Sequence, residues 1–443
     1  MSWAYLSKRA QLRTENVALL KEGFQEAQKN PYHRTDNPSG IIHLGVAENQ
    51  LMVEELLQRL PTLLDLESRH LHYGHNTGSQ ELRTQVAKLI NRYFNVQSEI
   101  LPEHITVHTG VTSAINDLAY VLCDEGDGIL IPTPYYGYFD QDLYLKVHAR
   151  AIPVHIGSAR EIFDEQAHIE QLESAYSKAT KDDKINVRAL LVTNPHNPLG
   201  QCYPRPVLEA LLKFASSHKL HIIFDEIYAL SVFDHVLESR TPSNSMRSSL
   251  SRVKQPFMSV LALDNLDELI DPAFTHVIYG LSKDFCLNGF RVGFSISPYN
   301  QALREALKNI AELSWVGTPS ENIATNLLAD ENYIDWFLTT NQRRLSEAYS
   351  RAITLLSDSK IPYIPAQAGH YIWIDLREYV SGSRNQEHEL FRKILQNGVY
   401  IALGDAFHSE EPGWFSLTFA VEGEMLRTAV SRIVEVLGKF RDN

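Results

Sequence analysis

The amino-acid sequence predicts an α/β fold in which a mostly parallel sheet is covered by helices on both faces. Through the middle of the chain, short and almost wholly apolar segments alternate with longer segments whose apolar residues have helical spacing. This alternation is typical of buried parallel strands joined by helices. From about residue 325 it gives way to one long helical pattern, shorter strands and a final helix. That change predicts a second, smaller α+β domain.

The predicted elements follow one another in a regular order. The predicted strands of the large sheet are ITVHT (105–109), ILIP (129–132), ALLVT (189–193), LHIIFDE (220–226), THVIYG (275–280) and RVGFSIS (291–297). The clearest helical patterns cover 112–127, 206–219 and 336–359. Residues 238–256 are rich in Ser, Arg and Pro, which indicates a surface insertion. We expect an N-terminal arm with part of the small domain over 1–50, the large domain over 51–325, and the small domain over 326–443.

Composition excludes several classes of protein. The chain has 443 residues, 44% of them hydrophobic, and a net charge of −13. An acidic chain without a basic block is a poor nucleic-acid binder. Three widely spaced cysteines exclude a disulfide framework and indicate a reducing compartment. Neither a secretory signal nor an apolar run of about 18 residues is present, so we expect a soluble cytoplasmic protein that binds no membrane.

Four short segments combine polar or aromatic side chains with a position next to a predicted strand. Ligands bind beyond the carboxyl ends of the strands in open α/β sheets. The segments are Thr109–Ser113, Pro134–Tyr136, NPHNPLG (194–200) with FDEIY (224–228), and GLSKDFCLNGFRVGF (280–294).

Each segment offers a distinct kind of chemistry. The turn at 109–113 presents free N–H groups that could hold a phosphate, and Tyr136 presents a face for a flat ring. Asp225 ends an apolar strand and needs a cationic partner, for which a pyridinium nitrogen is one possibility. Lys283, in apolar surroundings, has a lowered pKa and is a candidate for Schiff-base chemistry. Taken singly, each feature has a commoner explanation: a helix cap, ring packing or a surface lysine.

Taken together and in order, these segments closely resemble pyridoxal-phosphate enzymes of fold type I, aminotransferase class I/II. Within that family the sequence looks most like the branch of 1-aminocyclopropane-1-carboxylate (ACC) synthases. The matching segments are NPYHRTDNPSGIIHLGVAENQL (30–51), IPTPYYGYFDQDL (131–143), TNPHNPLG (193–200), DEIY (225–228), LSKDFCLNGFRVG (281–293) and PGWF (412–415). The resemblance spans about residues 30 to 430 and implies the fold-type-I architecture, with a seven-stranded type of sheet in the large domain.

The resemblance implies a role for each residue that would contact the cofactor ring. Lys283 would bind pyridoxal phosphate covalently and later move the substrate Cα proton. Asp225 would pair with the pyridinium N–H and so keep the ring an electron sink. Tyr228 and Asn197 would hydrogen-bond the phenolic oxygen of the ring, and Tyr136 would stack on it.

The same resemblance implies a phosphate site and a partner. Val111 and Thr112, with Ser282 and Arg291, would hold the phosphate, the arginine by its planar guanidinium group. Tyr73 would reach the phosphate in the neighbouring subunit, because related enzymes build their sites across a homodimer. The expected partners are thus a small-molecule amino substrate and a second copy of the chain.

Two departures from the family bear on the substrate. ACC synthases and most aminotransferases have an arginine directly after the PGWF-type stretch, where it binds the substrate α-carboxylate, but this chain has Ser416. Asn76 replaces a tyrosine that contributes to the site of ACC synthases. Val46 and Glu48 of GVAENQ match the branch and are expected to face the substrate. Either another group binds the carboxylate, or the substrate has no free carboxylate there.

These residues favour an aminotransferase-like enzyme acting on an unusual or natural-product type of substrate, and they argue against ACC synthesis itself. A lyase or replacement enzyme, for example one that cleaves C–S bonds by β- or γ-elimination, is the alternative. A cofactor-binding regulatory protein with little turnover is a third possibility. His70, His72 and His75 lie close together in the sequence, but their spacing lacks the other ligands of a metal site, so no metal is expected.

Overall fold

The structure of the protein, a computed structural model, describes residues 7, 10, 19–157, 161–233 and 256–441. The predicted surface insertion at 238–256 lies outside the described residues except for its last residue. The strands are short and mostly apolar. In chain order they are β1 (Ile42–His43), β2 (Ile105–His108), β3 (Gly128–Thr133), β4 (Arg150–His155), β5 (Val187–Thr193), β6 (His221–Asp225), β7 (Thr275–Gly280), β8 (Gly293–Ile296), β9 (Tyr363–Ile364), β10 (Tyr371–Asp375), β11 (Val399–Tyr400), β12 (Ala402–Leu403) and β13 (Trp414–Thr418).

Helices of very different length connect these strands. In chain order they are α1 (Leu19–Lys29), α2 (Val53–Leu63), α3 (Gln80–Tyr93), α4 (Val111–Leu122), α5 (Phe139–Tyr144), α6 (Glu165–Ser177), α7 (Arg205–Ser217), α8 (Leu266–Leu269), α9 (Leu281–Asp284), α10 (Gln301–Ile310), α11 (Thr318–Ala329), α12 (Glu331–Asp358), α13 (Arg384–Gln396) and α14 (Gly423–Arg441). The three clearest predicted helices correspond to α4, α7 and α12. The last begins earlier than predicted because the Asp330 side chain caps it, accepting the N–H of Tyr333.

Seven strands form the large sheet in the order β2-β8-β7-β6-β5-β3-β4. Every neighbouring pair is parallel except those of β8, which runs antiparallel to both β2 and β7. The prediction of an α/β fold with a mostly parallel sheet is confirmed. The edge strand β4 was not predicted, because exposed Arg150 and His155 at its ends and Pro153 within it interrupt the apolar pattern. Proline is tolerated there since an edge strand has one unpaired side.

Helices cover both faces of the large sheet, as β6 illustrates. Side chains alternate between the two faces of a strand. Ile222 and Phe224 pack in the cluster that contains Leu211 of α7, whereas Ile223 packs in the cluster that contains Ile115 of α4. Being apolar on both faces, this strand has the continuous hydrophobic run seen in its sequence.

A second, four-stranded sheet has the order β12-β13-β10-β9 and is antiparallel throughout. The N-terminal part of the chain joins this region, because β1 pairs in parallel with β11. The Leu44 N–H then donates to Tyr400, and the Leu44 carbonyl accepts the N–H of Thr418. Residues 42–50 are thereby held beside the carboxyl edge of the large sheet. Within the described part of the chain, no helix is both long and apolar enough to cross a bilayer.

Candidate functional site

A cavity of about 400 Å³ lies where the parallel strands of the large sheet end. Its lining comes from the loops after β2, β3, β5, β6 and β7, together with the segment after β1 and part of β13. This is the edge at which the sequence predicted ligand binding. The cavity brings together twelve of the predicted residues: Val46, Glu48, Val111, Thr112, Tyr136, Asn197, Asp225, Tyr228, Ser282, Lys283, Arg291 and Ser416.

Arg291 is placed in the cavity by an antiparallel strand, unlike the residues that follow the parallel strands. It precedes β8 rather than following a strand, and β8 runs antiparallel to β7. Gly293, the first residue of β8, pairs with Gly280, the last residue of β7. The start of an antiparallel strand therefore meets the ends of the parallel ones, and this places Arg291 near Lys283.

One end of the cavity is suited to a phosphate group. The N-terminus of α4 begins at Val111, and the free N–H groups of its first turn attract anions. The guanidinium group of Arg291 lies against this turn: a Cβ atom on Gly110 would be 2.3 Å from Arg291 Nη2. The hydroxyl-bearing residues Thr112 and Ser282 also line this cavity. A helix N-terminus, an arginine and two hydroxyl groups are a donor set for a dianion.

Asp225 ends β6 and is 4% exposed. Its carboxyl group accepts the N–H of Ile227 at 3.2 Å. Burial raises the pKa of Asp225 to about 7, although that N–H and the charge of Lys283 oppose the shift. A carboxylate buried to this degree is costly unless a cation or a strong donor faces it. A protonated ring nitrogen in the cavity would supply that donor.

Lys283 lies in the short helix α9, directly after β7. Its Nζ donates a hydrogen bond to the Ala47 carbonyl at 2.7 Å. Burial lowers the pKa of Lys283 to about 8, and the charge of Arg291 acts in the same direction, while Glu48 and Asp225 oppose it. A larger fraction of this amine is therefore neutral near pH 7 than of an exposed lysine, which favours nucleophilic attack on a carbonyl carbon.

Aromatic side chains form much of the remaining wall. Tyr136 packs edge-on against Phe139, with 5.5 Å between ring centroids and planes at 88°. Tyr228 is 2% exposed and packs edge-on against Tyr371 at 5.3 Å. Burial raises the pKa of Tyr228 well above its ordinary value, so its hydroxyl keeps its proton and can donate a hydrogen bond. Asn197 is 9% exposed and lines the same cavity. These groups fit a flat ring that bears a phenolic oxygen.

The substrate side of the cavity contains few positive charges. Ser416 lies on β13 between Trp373 of β10 and Ala402 of β12, and is 7% exposed. Among the described residues that line the cavity, the cations are Lys283 and Arg291. Both face the groups discussed above, so the described residues that line the cavity supply no further cation for a substrate carboxylate.

Tyr73 and Asn76 are not brought into this cavity. Tyr73 is 94% exposed and its ring packs edge-on against Trp315, 6.0 Å between centroids. The Asn76 side-chain amide donates to the Lys308 carbonyl at 2.9 Å. Asn76 is therefore held against α10 of its own chain, and the prediction that it faces the substrate stays a prediction. The prediction for Tyr73 concerns a neighbouring subunit and stays a prediction.

The cavity also contains residues that the sequence analysis did not select, among them Ala47, Tyr138, Asp142, Tyr371 and Phe407. Asp142 Oδ2 is buried without a hydrogen-bond partner, and burial, followed by the charge of Asp225, raises the pKa of Asp142 to about 8. An acidic residue in the helical pattern FDQDLY ordinarily lies on a solvated helix face, so the sequence did not indicate that Asp142 lines the cavity. Elsewhere in the described ranges, no cluster of three His, Cys, Asp or Glu side chains could hold a metal ion.

Comparisons with known proteins agree with this geometry. Residues 39–433 match the family described as aminotransferase class I and II. A mouse protein named probable inactive 1-aminocyclopropane-1-carboxylate synthase-like protein 2 is 34% identical over 446 residues, covering 98% of this chain and 72% of that protein. The 1-aminocyclopropane-1-carboxylate synthase 2 of Cucurbita pepo is 32% identical over 445 residues, covering 97% of this chain and 85% of that protein.

The fold is likewise shared with solved structures. A double mutant of the aspartate aminotransferase of Thermus thermophilus superposes with a TM-score of 0.74 and 20% identity, covering 97% of this chain and 99% of that structure. The expected fold-type-I architecture is thereby confirmed.

Proposed function

Since this chain belongs to the aminotransferase class I and II family, whose members depend on pyridoxal phosphate, we propose that it catalyses an aminotransferase-like reaction on an unusual amino substrate. The observation that carries the proposal is the convergence of Lys283 and Asp225 on one cavity beside an anion site. A lysine of lowered pKa, a buried carboxylate and a phosphate site are the three features that this cofactor needs.

We assign the cofactor contacts as follows. Lys283 forms the covalent link, Asp225 faces the ring nitrogen, and Tyr136 lies against the ring. The groups assigned to the phosphate are Val111, Thr112, Ser282 and Arg291, and those assigned to the phenolic oxygen are Asn197 and Tyr228. The bound cofactor supplies an electron sink for the bond broken at the substrate Cα. Lys283, once released, takes and returns the Cα proton.

The substrate is proposed to lack a conventionally bound α-carboxylate. Ser416 occupies the position where related enzymes have an arginine, and the lining cations are already assigned to the cofactor. The aromatic wall made by Tyr138, Tyr371 and Phe407 suits an apolar or bulky group. Val46 and Glu48 also line the cavity, and Glu48 could accept a hydrogen bond from a substrate amine.

A lyase is the second candidate. The similarity to the Cucurbita pepo synthase favours it, because the aligned region covers 97% of this chain and 85% of that protein. A cofactor-binding protein without turnover is the third candidate, and the words “probable inactive” in the name of the mouse relative favour it. Both catalytic alternatives use Lys283 and Asp225 in the same way, so these residues do not distinguish them.

One experiment tests the cofactor assignment. Purified protein mixed with pyridoxal phosphate should develop a visible absorbance band that borohydride removes, and Lys283→Ala should not develop it. Lys308→Ala is the matched control, because Lys308 is an exposed lysine that does not line the cavity and lies 3.9 Å from the carboxylate of Glu305. A wild-type protein that stays colourless, or a Lys283→Ala variant that develops the same band, would refute the assignment.

The loaded protein then separates the reactions. In a panel of amines and amino acids, transamination converts the visible form to the amine form of the cofactor without releasing ammonia. Elimination releases ammonia or a thiol and restores the visible form. Absence of either change with every donor would favour the non-catalytic alternative.

The proposal also includes a homodimer with shared sites and a cytoplasmic location. Tyr73 is exposed on its own chain, as a residue that serves a neighbouring subunit must be. The cysteines Cys123, Cys202 and Cys286 are free, which fits a reducing compartment.

A further inference from the structure

Three buried polar side chains join the elements that build the anion site. His108 ends β2, and its Nδ1 lies 2.8 Å from Asp117 Oδ2 on α4. Its Nε2 lies 2.9 Å from the Ser295 hydroxyl on β8. All three residues are buried. A single imidazole therefore connects β2, α4 and β8 inside the core.

The hydrogen bonds of this network have one consistent arrangement. An ionised carboxylate only accepts hydrogen bonds, so with Asp117 ionised the His108 Nδ1–H donates to it. A neutral imidazole carries no proton on its other nitrogen, and Nε2 then accepts the proton of the Ser295 hydroxyl. Both ring nitrogens have a partner. A polar network that is satisfied in this way holds the elements around it in one arrangement.

The order carboxylate, imidazole, hydroxyl is also that of a nucleophilic triad. In this protein the hydroxyl has no access to a substrate. Ser295 is 1% exposed and lies inside the large sheet, on a strand between β2 and β7. None of the three residues lines the cavity. The network therefore acts through the elements that it joins.

These elements carry the groups assigned to the phosphate. The helix α4 begins at Val111, and Arg291 comes two residues before the start of β8. The two backbones are in close contact there, because a Cβ atom on Gly293 would be 2.6 Å from the Val111 nitrogen. The His108 carbonyl also accepts the Gly110 N–H at 2.7 Å, in the turn that leads into α4. A shift of β8 against α4 would thus move the arginine away from the helix N-terminus.

We propose that His108 is a positioning residue for the cofactor phosphate: through its two side-chain hydrogen bonds it holds the N-terminus of α4 at a fixed separation from Arg291. The inference rests on the anion site assigned in the proposed function. Donors that are fixed in place bind a dianion more tightly than donors that must first be brought together, because folding has already ordered them.

The test compares pyridoxal phosphate with pyridoxal, the same aldehyde without the phosphate, as ligands of the full-length apoprotein. Affinity is measured by titration of the visible band, and inorganic phosphate serves as a competitor. His108→Phe should lower the affinity for pyridoxal phosphate about tenfold, the effect of roughly one charge-assisted hydrogen bond, and change that for pyridoxal less than about twofold. Competition by inorganic phosphate should weaken as well.

Ser295→Ala keeps the test decisive if the phenylalanine variant does not fold, since it removes one link and very little volume. It should also lower the affinity for pyridoxal phosphate and leave that for pyridoxal unchanged. Combined with His108→Phe it should cause no further loss, because both substitutions act on one network. Additive losses would show that the serine acts independently of the histidine.

His276→Phe is the matched control. His276 is a buried histidine of β7 that lies 3.0 Å from the Ser297 hydroxyl and 3.0 Å from His221 Nδ1, and neither partner is on α4. It should lose thermal stability and keep the preference for the phosphate ligand. If wild-type protein captures neither aldehyde, or both equally, the proposed site fails. If it prefers pyridoxal phosphate and His108→Phe and Ser295→Ala lower both affinities equally, only the role of His108 is refuted.

Discussion

Ser416 is buried on β13 with its neighbours Trp373 and Ala402, at a position where the family would have an arginine. We expect the effect of Ser416→Arg on substrate binding and turnover to depend on whether the substrate has a free α-carboxylate. With a simple α-amino acid, a new guanidinium–carboxylate pair is worth about 2–5 kcal/mol, or roughly 30-fold or more in affinity. With a substrate that lacks the carboxylate, the buried arginine has no partner and native turnover is lost.

The measurement is the spectral response of the loaded protein to alanine, glutamate and methionine. Wild-type protein should respond weakly to all three, and Ser416→Arg more strongly. Strong wild-type turnover of any of them would show that another group already binds the carboxylate.

At this scale the sequence predicted which residues meet in the cavity better than it predicted how they act on one another. Lys283 and Asp225 were identified because charged groups at the ends of apolar strands are unusual. Tyr371 was missed because a tyrosine at the start of a strand is ordinary in a core.

At the level of elements, the start of α4 is the most constrained part of the anion site. Gly110 precedes it with φ of +83° and ψ of 170°, a conformation that is essentially restricted to glycine and costs other residues about 1–3 kcal/mol. A Cβ atom there would also meet Arg291 Nη2 at 2.3 Å and displace the guanidinium group. We expect Gly110→Ala to weaken cofactor affinity about tenfold or more, as measured by titration of the visible band.

Gly126→Ala provides the control for backbone strain. Gly126 has a similar φ of +91°, but the nearest atom to an added Cβ is 4.0 Å away and the residue does not line the cavity. It should lower thermal stability by a similar amount and leave cofactor affinity unchanged. Equal losses of affinity in the two variants would contradict the assignment of α4 to the phosphate.

Elements with a strong apolar pattern were predicted, and those defined by tertiary context were not. The strands β5, β6 and β7 are apolar on both faces, so their patterns were clear. The direction of β8 could not be predicted, because RVGFSIS has the same pattern whether it runs parallel or antiparallel. That direction decides where Arg291 lies, because the start of an antiparallel β8 meets the end of β7.

At the scale of the whole molecule, the exposed apolar side chains around Tyr73 predict that two copies of the chain associate. Leu71 is 83% exposed, Tyr73 94% and Leu313 89%, and the two segments that carry them meet at the contact between Tyr73 and Trp315. Such surfaces are usually covered by a partner. We expect a dimer in analytical ultracentrifugation at micromolar concentration, and a shift towards monomer in Tyr73→Asp, together with weaker cofactor binding.

Tyr120→Asp is the corresponding control, since Tyr120 is 61% exposed on α4 and away from that contact. It should remain dimeric. A wild-type chain that sediments as a stable monomer would contradict both the dimer and the role of Tyr73. The boundaries proposed for the domains, at 50 and 325, stay predictions that limited proteolysis can check.

The position of β8 also has a consequence for how the chain folds while it is being synthesised. The early strand β2 is at the edge of the large sheet and pairs there only with β8. Until residues 293–296 have left the ribosome, β2 has no strand of the described sheet to pair with, although its Val107 N–H can already donate to the Thr77 carbonyl. Arg291 arrives with that same late strand. The anion site thus assembles in one step near the end of the large sheet, and nascent chains that stop before it should be unable to hold the cofactor phosphate.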